Sequence, residues 1–264
     1  MLSNELYIRL GLFIGVLLLM AALETLLPKR ARRFDRLVRW PGNFLVLMMD
    51  SFALQLVFPI TAVGFALFCS QQQFGVLNQV PMPYPLSVVI AMVLLDLTIY
   101  AQHVIFHRVP ILWRLHRMHH TDLDLDVTSG TRFHPLEILL SMLIKLAAIW
   151  IIGAPAVAVM LFEVLLNAGS MFNHANLRIP ASLDSALRLL VVTPDMHRVH
   201  HSVVPAETNS NFGFNLPWWD RLFGTYIAQP ELGHNDMTIG LAEFQEIDAQ
   251  RIDKMLVQPW EKTN

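Results

Sequence analysis

The chain has 264 residues, of which 54% are hydrophobic and only 15% are charged, and its mean hydropathy is +0.46. This composition excludes an ordinary soluble domain and predicts a polytopic membrane protein. The net charge of −2 gives no support for binding to nucleic acid. The single cysteine, Cys69, excludes an internal disulfide and a thiolate-rich metal site, so we interpret it as a small apolar residue near a helix end.

The first predicted span covers Leu6 to Leu27, which is long enough to cross a bilayer. It is a poor signal peptide, because only Arg9 precedes the apolar run and no small-residue cleavage site follows. The next segment is strongly basic and contains Lys29, Arg30, Arg32, Arg33, Arg36 and Arg39. By the positive-inside rule this loop is cytoplasmic and the N-terminus lies outside, and we expect the basic side chains to attract anionic lipid.

The second predicted span runs from Phe44 to Phe68, with a kink at Pro59. Its polar residues Asp50 and Gln55 are expected to face the interior of the bundle, because polar groups are costly against lipid. The connection from 69 to 85 contains no Lys or Arg, as an outside loop should. The third span, Leu86 to His107, then returns to the cytoplasmic side.

An apolar segment from Leu136 to Phe172 is interrupted by Gly153-Ala154-Pro155. As one straight helix it would be about 55 Å long, which is too long for a single span. We therefore predict a hairpin of two spans that turns at these three residues. Lys145 and Glu163 would then lie at similar depth on antiparallel helices, and we expect them to form an ion pair.

Eight of the eleven histidines lie in three short clusters. They are His103 and His107 in HVIFH, His116, His119 and His120 in HRMHH, and His197, His200 and His201 in HRVHH. Spacings of three and four residues bring side chains to one face of an α-helix. Thr193 and Pro194 are typical of an N-cap and a first helical residue, which predicts that HRVHH also lies on a helix.

A lone histidine is as often a hydrogen-bonded core or surface residue as a ligand, but three such clusters together favour a metal site. Adjacent imidazoles would each need a hydrogen-bond partner and would repel one another when protonated. A metal resolves both problems, since neutral imidazole is the commonest nitrogen ligand. Eight imidazoles exceed the capacity of one ion, so the clusters predict two metals at the cytoplasmic face.

These clusters, together with the segments RFHPLE, FNHANLRIP and NFGFNLPWWDRLFGTY, resemble the fatty acid hydroxylase/sterol desaturase superfamily. The resemblance covers Leu86 to Tyr226. It implies an all-α membrane bundle with a non-haem centre of two iron ions, held by the eight cluster histidines, which uses O2 to hydroxylate or desaturate a lipid or to cleave an ether. It also implies an electron donor in trans, ferredoxin-like or cytochrome b5-like with a reductase. His174 resembles a further ligand, and His134 occupies a family position of open role.

Other polar residues are candidates for supporting the ligands. Asp96 and Tyr100 share a helix face with His103 and His107, although a buried polar contact in the bundle is the commoner role for such an aspartate. Asn176 in the NHAN segment is a third candidate. Asp122, Asp124 and Asp126 follow HRMHH directly, and we expect them to form a solvated loop, with support of the ligands as the alternative.

Two alternative functions stay open, a di-zinc membrane hydrolase and a membrane metal transporter. Histidine binds zinc well, but a hydrolase normally adds carboxylate ligands and a positioned acid or base. A transporter should line its spans with ligands near the membrane midplane, whereas these histidines gather at one face. A ferritin-like site needs two Glu-x-x-His motifs, and only Glu231 with His234 fits.

The sequence therefore predicts a helical membrane bundle of about four to five spans, including the hairpin at 136–172, with a cytoplasmic helical cap that carries the histidines. Its predicted parts are N-terminal spans with a basic loop (1–85), a histidine-bearing catalytic region (86–228) and a cytoplasmic tail (229–264). A bacterial cytoplasmic membrane is favoured over the endoplasmic reticulum. The substrate, a sterol, fatty acyl chain or related lipid, is left open.

Overall fold

The computed structural model describes residues 5–262, and within this range the chain forms helices and no β-strand. Residues 1–4 and 263–264, the extreme ends of the two predicted terminal regions, lie outside the described residues. The α-helices are α1 (Glu5–Leu26), α2 (Arg36–Val57), α3 (Ala62–Gln71), α4 (Val76–Gln79), α5 (Tyr84–Arg108), α6 (Pro110–His120), α7 (Pro135–Ile152), α8 (Ala156–Asn173), α9 (Ala181–Leu187), α10 (Pro194–His200), α11 (Pro205–Thr208), α12 (Trp218–Leu222), α13 (Gly233–Asp236) and α14 (Ile252–Val257). Short 3₁₀ turns occupy Ser129–Thr131, Ala242–Phe244, Ile247–Gln250 and Gln258–Trp260. The all-α prediction is confirmed.

Five stretches of the described chain are long and apolar enough to cross a membrane, as the sequence predicted. They are α1, the stretch from α2 through α4, α5, α7 and α8. Pro59 does more than kink the second stretch, because the chain leaves the helix at residues 58–61 and restarts at Ala62. Proline lacks the N–H that a continuing helix requires and restricts the residue before it. Thr61 then caps α3 by accepting a hydrogen bond from the Gly64 N–H.

The predicted hairpin is confirmed, with α7 and α8 joined at Gly153–Pro155. Gly153 ends α7 in the left-handed conformation, with φ of 72°. Gly75, also at positive φ, packs directly against it, and a Cβ at Gly75 would lie 2.1 Å from the Gly153 nitrogen. Both turns therefore require glycine, because no side chain fits between the two backbones.

The predicted ion pair between the hairpin helices is also present. Lys145 Nζ lies 2.8 Å from Glu163 Oε1, and both side chains are largely buried. Arg9 of α1 lies 3.1 Å from the other carboxylate oxygen of Glu163, so this one carboxylate joins three helices. Pairing of this kind is what makes charged groups tolerable within a span.

The apolar core of the bundle lies between α3, α5, α7 and α8 and includes Cys69, which is fully buried as expected. Asp50 of α2 is buried, also as predicted, but Gln55 is exposed. The prediction for Gln55 is wrong because five residues turn an α-helix by about 140° beyond one full turn, which places Gln55 on a different face from Asp50.

Much of the basic loop binds other parts of the protein. Lys29 Nζ lies 2.6 Å from Asp195, and Arg36 lies 2.9 Å from Glu24. Arg39 is completely buried and bonds to carboxylates beyond α6. These basic side chains therefore form ion pairs within the protein. The prediction that they attract anionic lipid did not include this role.

The prediction that residues 122–126 form a solvated loop is wrong. Asp122 and Asp126 are buried, and Arg39 donates to Asp122 Oδ1 at 2.6 Å and to Asp126 Oδ2 at 2.8 Å. Asp124 accepts hydrogen bonds from the backbone N–H groups of Arg33 and Phe34. The buried guanidinium makes burial of these carboxylates possible. It also holds the pKa of Asp122 down at about 2, against the effect of burial.

Candidate metal centre

Nine histidines converge where α5 ends and α6 begins, and they form two groups. The five-histidine group consists of His103, His107, His116, His120 and His200. The four-histidine group consists of His119, His174, His197 and His201. Within each group, one ring nitrogen from every histidine lies within 4.8 Å of all the others. The eight predicted histidines are thus brought together, and His174 joins them.

Local sequence explains why these side chains converge. Pro110 stands at the first position of α6, directly after Val109 ends α5, so the two helices meet with almost no loop. Thr193 caps α10 by accepting from the Met196 N–H, as predicted, and Pro194 follows it. These residues fix where α5 ends and where α6 and α10 begin, and so they fix where the histidines on these helices lie.

The two histidine doublets are divided between the groups. His120 belongs to the five-histidine group and His119 to the four-histidine group, and the doublet of His200 and His201 is divided in the same way. The ring centroids are 5.4 Å apart in both doublets, with interplanar angles of 89° and 87°. Each doublet therefore links the two groups through adjacent backbone positions.

Five of the nine imidazoles have Nδ1 hydrogen-bonded to an oxygen. The partners are the Phe212 carbonyl for His103 (2.8 Å), Glu137 for His116 (2.7 Å), the Arg132 carbonyl for His119 (3.1 Å), the Ser170 carbonyl for His174 (2.8 Å) and the Ser210 carbonyl for His200 (2.7 Å). A carbonyl can only accept, so Nδ1 carries the proton, and Nε2 of a neutral ring keeps its lone pair. Such oxygen partners commonly orient metal-binding histidines.

Pairs of these Nε2 atoms face each other at short range. His103 and His116 have Nε2 atoms 3.1 Å apart, and those of His119 and His174 are 3.0 Å apart. With Nδ1 protonated, neither atom of these pairs has a proton to donate, so lone pair faces lone pair. About 3.0 Å is the separation of two nitrogen ligands that each lie about 2.1 Å from one ion and about 90° apart. The donor set therefore fits metal binding.

The remaining contacts agree with this fit. Among the described residues, neither ring nitrogen of His107 or of His120 has a hydrogen-bond partner, although both rings are well enclosed. Buried polar atoms without partners are rare in native proteins and call for an explanation. A bound metal would satisfy them.

Burial also favours the neutral form that binds metal. Loss of solvation, with repulsion from neighbouring imidazoles, holds the pKa of His119, His120, His197 and His201 well below the usual value. Burial likewise lowers the pKa of His174 to about 4 and that of His200 to about 3. These rings are therefore neutral at physiological pH, as metal ligation requires.

His134 lies outside both groups. Its Nδ1 accepts a hydrogen bond from the Leu136 N–H and caps α7, and its Nε2 lies 3.2 Å from the Leu256 carbonyl. The cap explains why a histidine stands directly before the proline that begins α7. His234, the other histidine outside the groups, lies 3.7 Å from Asp195.

The three residues predicted to support the ligands do not hydrogen-bond to any of the nine histidines in the structure. Asp96 accepts from Asn215, from the Leu216 N–H and from Trp219. The Tyr100 hydroxyl lies 2.9 Å from that of Thr225, and Asn176 bonds to the backbone of Arg30. Asp96 and Tyr100 thus bind the segment whose Phe212 carbonyl contacts His103.

Glu137 is a carboxylate that does contact one of the nine grouped histidines, and sequence reasoning missed it. It is buried, and its Oε1 lies 2.7 Å from Nδ1 of His116. It belongs to the RFHPLE segment, where attention went to His134. An acidic residue in the first turn of an apolar span, three residues after a capping histidine, is the signal that could have found it.

Comparison with known proteins agrees with this geometry, because the fatty acid hydroxylase family matches residues 88–225, about half of the chain. The chain belongs to the fatty acid hydroxylase family. All nine grouped histidines lie inside the matched region. The resemblance inferred from the histidine clusters is thereby confirmed.

Curated relatives of this fatty acid hydroxylase family member include two kinds of lipid oxygenase. An ornithine lipid hydroxylase, OlsE, from Rhizobium tropici is 31% identical over 60% of this chain and 46% of its own length. The alkylglycerol monooxygenases of Xenopus tropicalis and Homo sapiens are each 28% identical over 59% of this chain and 34% of theirs. The chain thus spans less than half the length of these relatives. No solved structure matches it.

Proposed function

We propose that this protein is a membrane-bound oxygenase that uses two non-haem iron ions and O2 to hydroxylate a C–H bond of a bilayer lipid. The observation that carries the proposal is the pair of buried, all-imidazole groups with Nε2 lone pairs facing each other at 3.0–3.1 Å. Bound iron would activate O2, with electrons from a donor, to oxidise an unactivated C–H bond, and no amino-acid side chain provides this chemistry.

The lipid part of the proposal is supported by the position of the groups and by the relatives. His103 stands five residues before the end of α5, a helix apolar enough to cross a membrane, so a substrate in the bilayer would need to move little to reach the site. The relatives are named for hydroxylation of ornithine lipid and oxygenation of alkylglycerol. Both substrates carry a polar head on a long chain, so we propose a lipid of this class, and hydroxylation rather than desaturation.

The chain's own residues would fix the ligand geometry and limit access of water. Glu137 and the carbonyl groups bound to Nδ1 would hold five of the nine rings in one tautomer, with Nε2 left free to bind metal. Phe133 stacks on His119 with ring centroids 4.4 Å apart, and Trp113 lies 4.7 Å from His107. These aromatic side chains place apolar surface directly against the histidines, which would favour hydrocarbon over water there.

The proposal also covers the source of the electrons and the orientation of the protein in the membrane. We propose that a ferredoxin-like or cytochrome b5-like donor with its reductase delivers electrons from the cytoplasm. The basic residues between α1 and α2 support a cytoplasmic histidine-bearing end. A bacterial cytoplasmic membrane is in keeping with the Rhizobium relative.

The proposal is tested by the metal content of detergent-purified protein, measured by mass spectrometry together with a Mössbauer spectrum after iron loading. We expect close to two coupled irons per chain in the wild type and loss of coupling in His119→Ala. His134→Asn is the matched control, since it changes a buried histidine outside both groups and keeps a side chain that can cap α7. It should retain both irons.

The alternatives give different results. Stoichiometric zinc that iron reconstitution cannot replace would favour the di-zinc hydrolase, although the described residues place no carboxylate in either group. Metal bound weakly and transferred across a vesicle membrane would favour a transporter. A folded protein that binds no stoichiometric metal would contradict the proposal.

A further inference from the structure

Two short helices outside the spans, α9 and α12, expose large apolar side chains. With the residues that follow them they form a surface that we call the α9–α12 surface. Its members are between 45% and 69% exposed, and they are Leu183, Leu189, Leu190, Trp218, Leu222 and Phe223. Single exposed leucines need no explanation, but six large side chains from two neighbouring segments do.

The contacts between these segments show that the surface is continuous. Trp218 Nε1 donates to the Leu189 carbonyl at 2.7 Å, which joins the end of the α9 segment to the start of α12. At the other end of α12, Phe223 stacks on Tyr100 of α5 with ring centroids 5.4 Å apart. The surface therefore runs from the α9 segment directly onto a helix that is long and apolar enough to span.

Three charged residues of these segments are turned inward, whereas Arg221 of α12 and the small residues Ser182 and Ser185 of α9 are exposed. Asp184 and Arg188 are buried and paired, with Arg188 Nε 2.6 Å from an Asp184 oxygen. Asp220 is fully buried and accepts from the backbone N–H groups of Phe212 and Gly213. On a surface in contact with water, carboxylates are usually exposed and leucines are usually buried. The arrangement in these segments is the reverse.

The position of α12 along α5 shows whether α12 lies within the depth of the membrane. Trp219 Nε1 donates to Asp96 at 2.8 Å, and the Leu216 N–H donates to the same carboxylate. Asp96 lies twelve residues before the end of α5 at Arg108, a distance of about 18 Å along the helix axis. Half of the hydrocarbon core is about 15 Å thick. Helix α12 therefore lies beside the span and not beyond its end.

We infer that the α9–α12 surface lies in the lipid of the leaflet at the histidine-bearing end, with its leucine and aromatic side chains among the acyl chains. The partner is the bilayer itself. Trp218 exposes an indole whose N–H is already bonded to the Leu189 carbonyl, so the ring has no unpaired polar atom to place against lipid. The inference goes beyond the proposed chemistry and holds whether or not the histidines bind iron.

The chain allows a direct measurement of depth, because its one cysteine, Cys69, is fully buried. Leu189→Cys and Leu222→Cys each add one accessible thiol for an environment-sensitive fluorophore, in full-length protein reconstituted into phosphatidylcholine nanodiscs. The matched control is Glu243→Cys, an exposed position in the C-terminal segment. The unsubstituted protein measures background labelling.

We expect nitroxide groups on the lipid acyl chains to quench the labels at 189 and 222 at least threefold more strongly than the label at 243. Aqueous iodide should quench in the opposite order. Iodide quenching at 189 or 222 as strong as at 243 would overturn the inference. Because all three positions are exposed and each variant can be checked for an unchanged unfolding midpoint, misfolding would not be mistaken for either result.

Discussion

At the scale of single residues, the nine grouped histidines differ in how their rings are held. Glu137 is the one carboxylate among the Nδ1 partners described above, and the others are backbone carbonyl groups. A carboxylate makes the bonded imidazole more basic and a better ligand than a carbonyl does. Glu137 should therefore matter to metal affinity through His116 alone.

Replacing Glu137 by Ala should weaken metal binding by about 10- to 100-fold, the usual cost of losing such a partner. Glu137→Gln keeps an acceptor oxygen without the charge and should lie between wild type and Glu137→Ala. Competition with a metal chelator measures the affinity, and Glu243→Gln, an exposed glutamate, is the control. Equal affinity in all four proteins would show that Glu137 does not support His116 in this way.

Sequence reasoning found the histidines but not the residues that hold them. Helical spacing was enough to bring His103 and His107 to one face, and doublets at the ends of apolar stretches are unusual enough to indicate metal. The oxygens bound to Nδ1 are mostly main-chain carbonyl groups, which every residue has, so no side-chain pattern can identify them. Glu137 lies in another helix from His116, and only the packed structure brings the two together.

At the scale of helices, charged pairs hold neighbouring elements together. The pair of Lys145 and Glu163 should show a coupling energy of about 1 to 3 kcal/mol in a double-mutant cycle, because the two side chains are in contact and largely buried. Lys145→Met and Glu163→Gln, singly and together, can be compared by their unfolding midpoints in detergent. Combining Lys145→Met with the distant Glu243→Gln should give simple additivity. Additivity in the first cycle as well would contradict the pairing.

Arg39 joins α2 to the segment that follows α6. Arg39→Met would leave Asp126 buried without its ion-pair partner and Asp122 with Arg132 at 4.0 Å, and loss of one partner from a buried pair costs about 3 to 5 kcal/mol. We expect a clear fall in the unfolding midpoint, measured thermally in nanodiscs. Arg32→Met removes an exposed arginine from the segment that precedes α2 and should change the midpoint little. Similar midpoints for the two variants would refute the buried role of Arg39.

Helices were easier to predict than their connections. The hairpin follows from length alone, since one helix of 37 residues is too long for a span. The break at Pro59 and the burial of Asp122 depend on what packs nearby. An aspartate that follows a helix is usually solvated, and only contact with Arg39, more than eighty residues earlier, makes burial favourable. Sequence does not reveal such distant partners.

At the scale of the whole molecule, a cluster of buried neutral imidazoles makes the metal-free protein sensitive to acid. Unfolding exposes rings whose ordinary pKa is about 6.5, whereas in the folded protein the pKa of His174 is lowered to about 4 and that of His200 to about 3. Between those values the unfolded chain binds more protons than the folded one. The contribution of these two rings to stability is therefore fully present above about pH 7 and is lost as the pH falls toward 4 for His174 and toward 3 for His200.

Each ring that takes up a proton on unfolding contributes a slope of about 1.4 kcal/mol per pH unit. The test compares the unfolding midpoints of metal-free wild type and His200→Gln in steps from pH 7 to pH 4.5. Burial raises the pKa of Asp220 to about 6, which acts in the opposite direction in both proteins, so the difference between them isolates one ring. The wild-type midpoint should fall more steeply than that of His200→Gln, and equal slopes would contradict the prediction.

The division of each histidine doublet between the two groups has a consequence for how their spacing is set. Adjacent Cα atoms are about 3.8 Å apart in any fold, because the peptide bond fixes that distance. Since His119 and His120, and likewise His200 and His201, serve different groups, the separation of the groups is spanned twice by single peptide units. The separation of the groups is therefore limited by the reach of side chains on adjacent residues, and it depends less on helix packing than a separation set by residues on different elements would. One residue inserted within either doublet would alter it directly, whereas insertions in the loops between the helices would not.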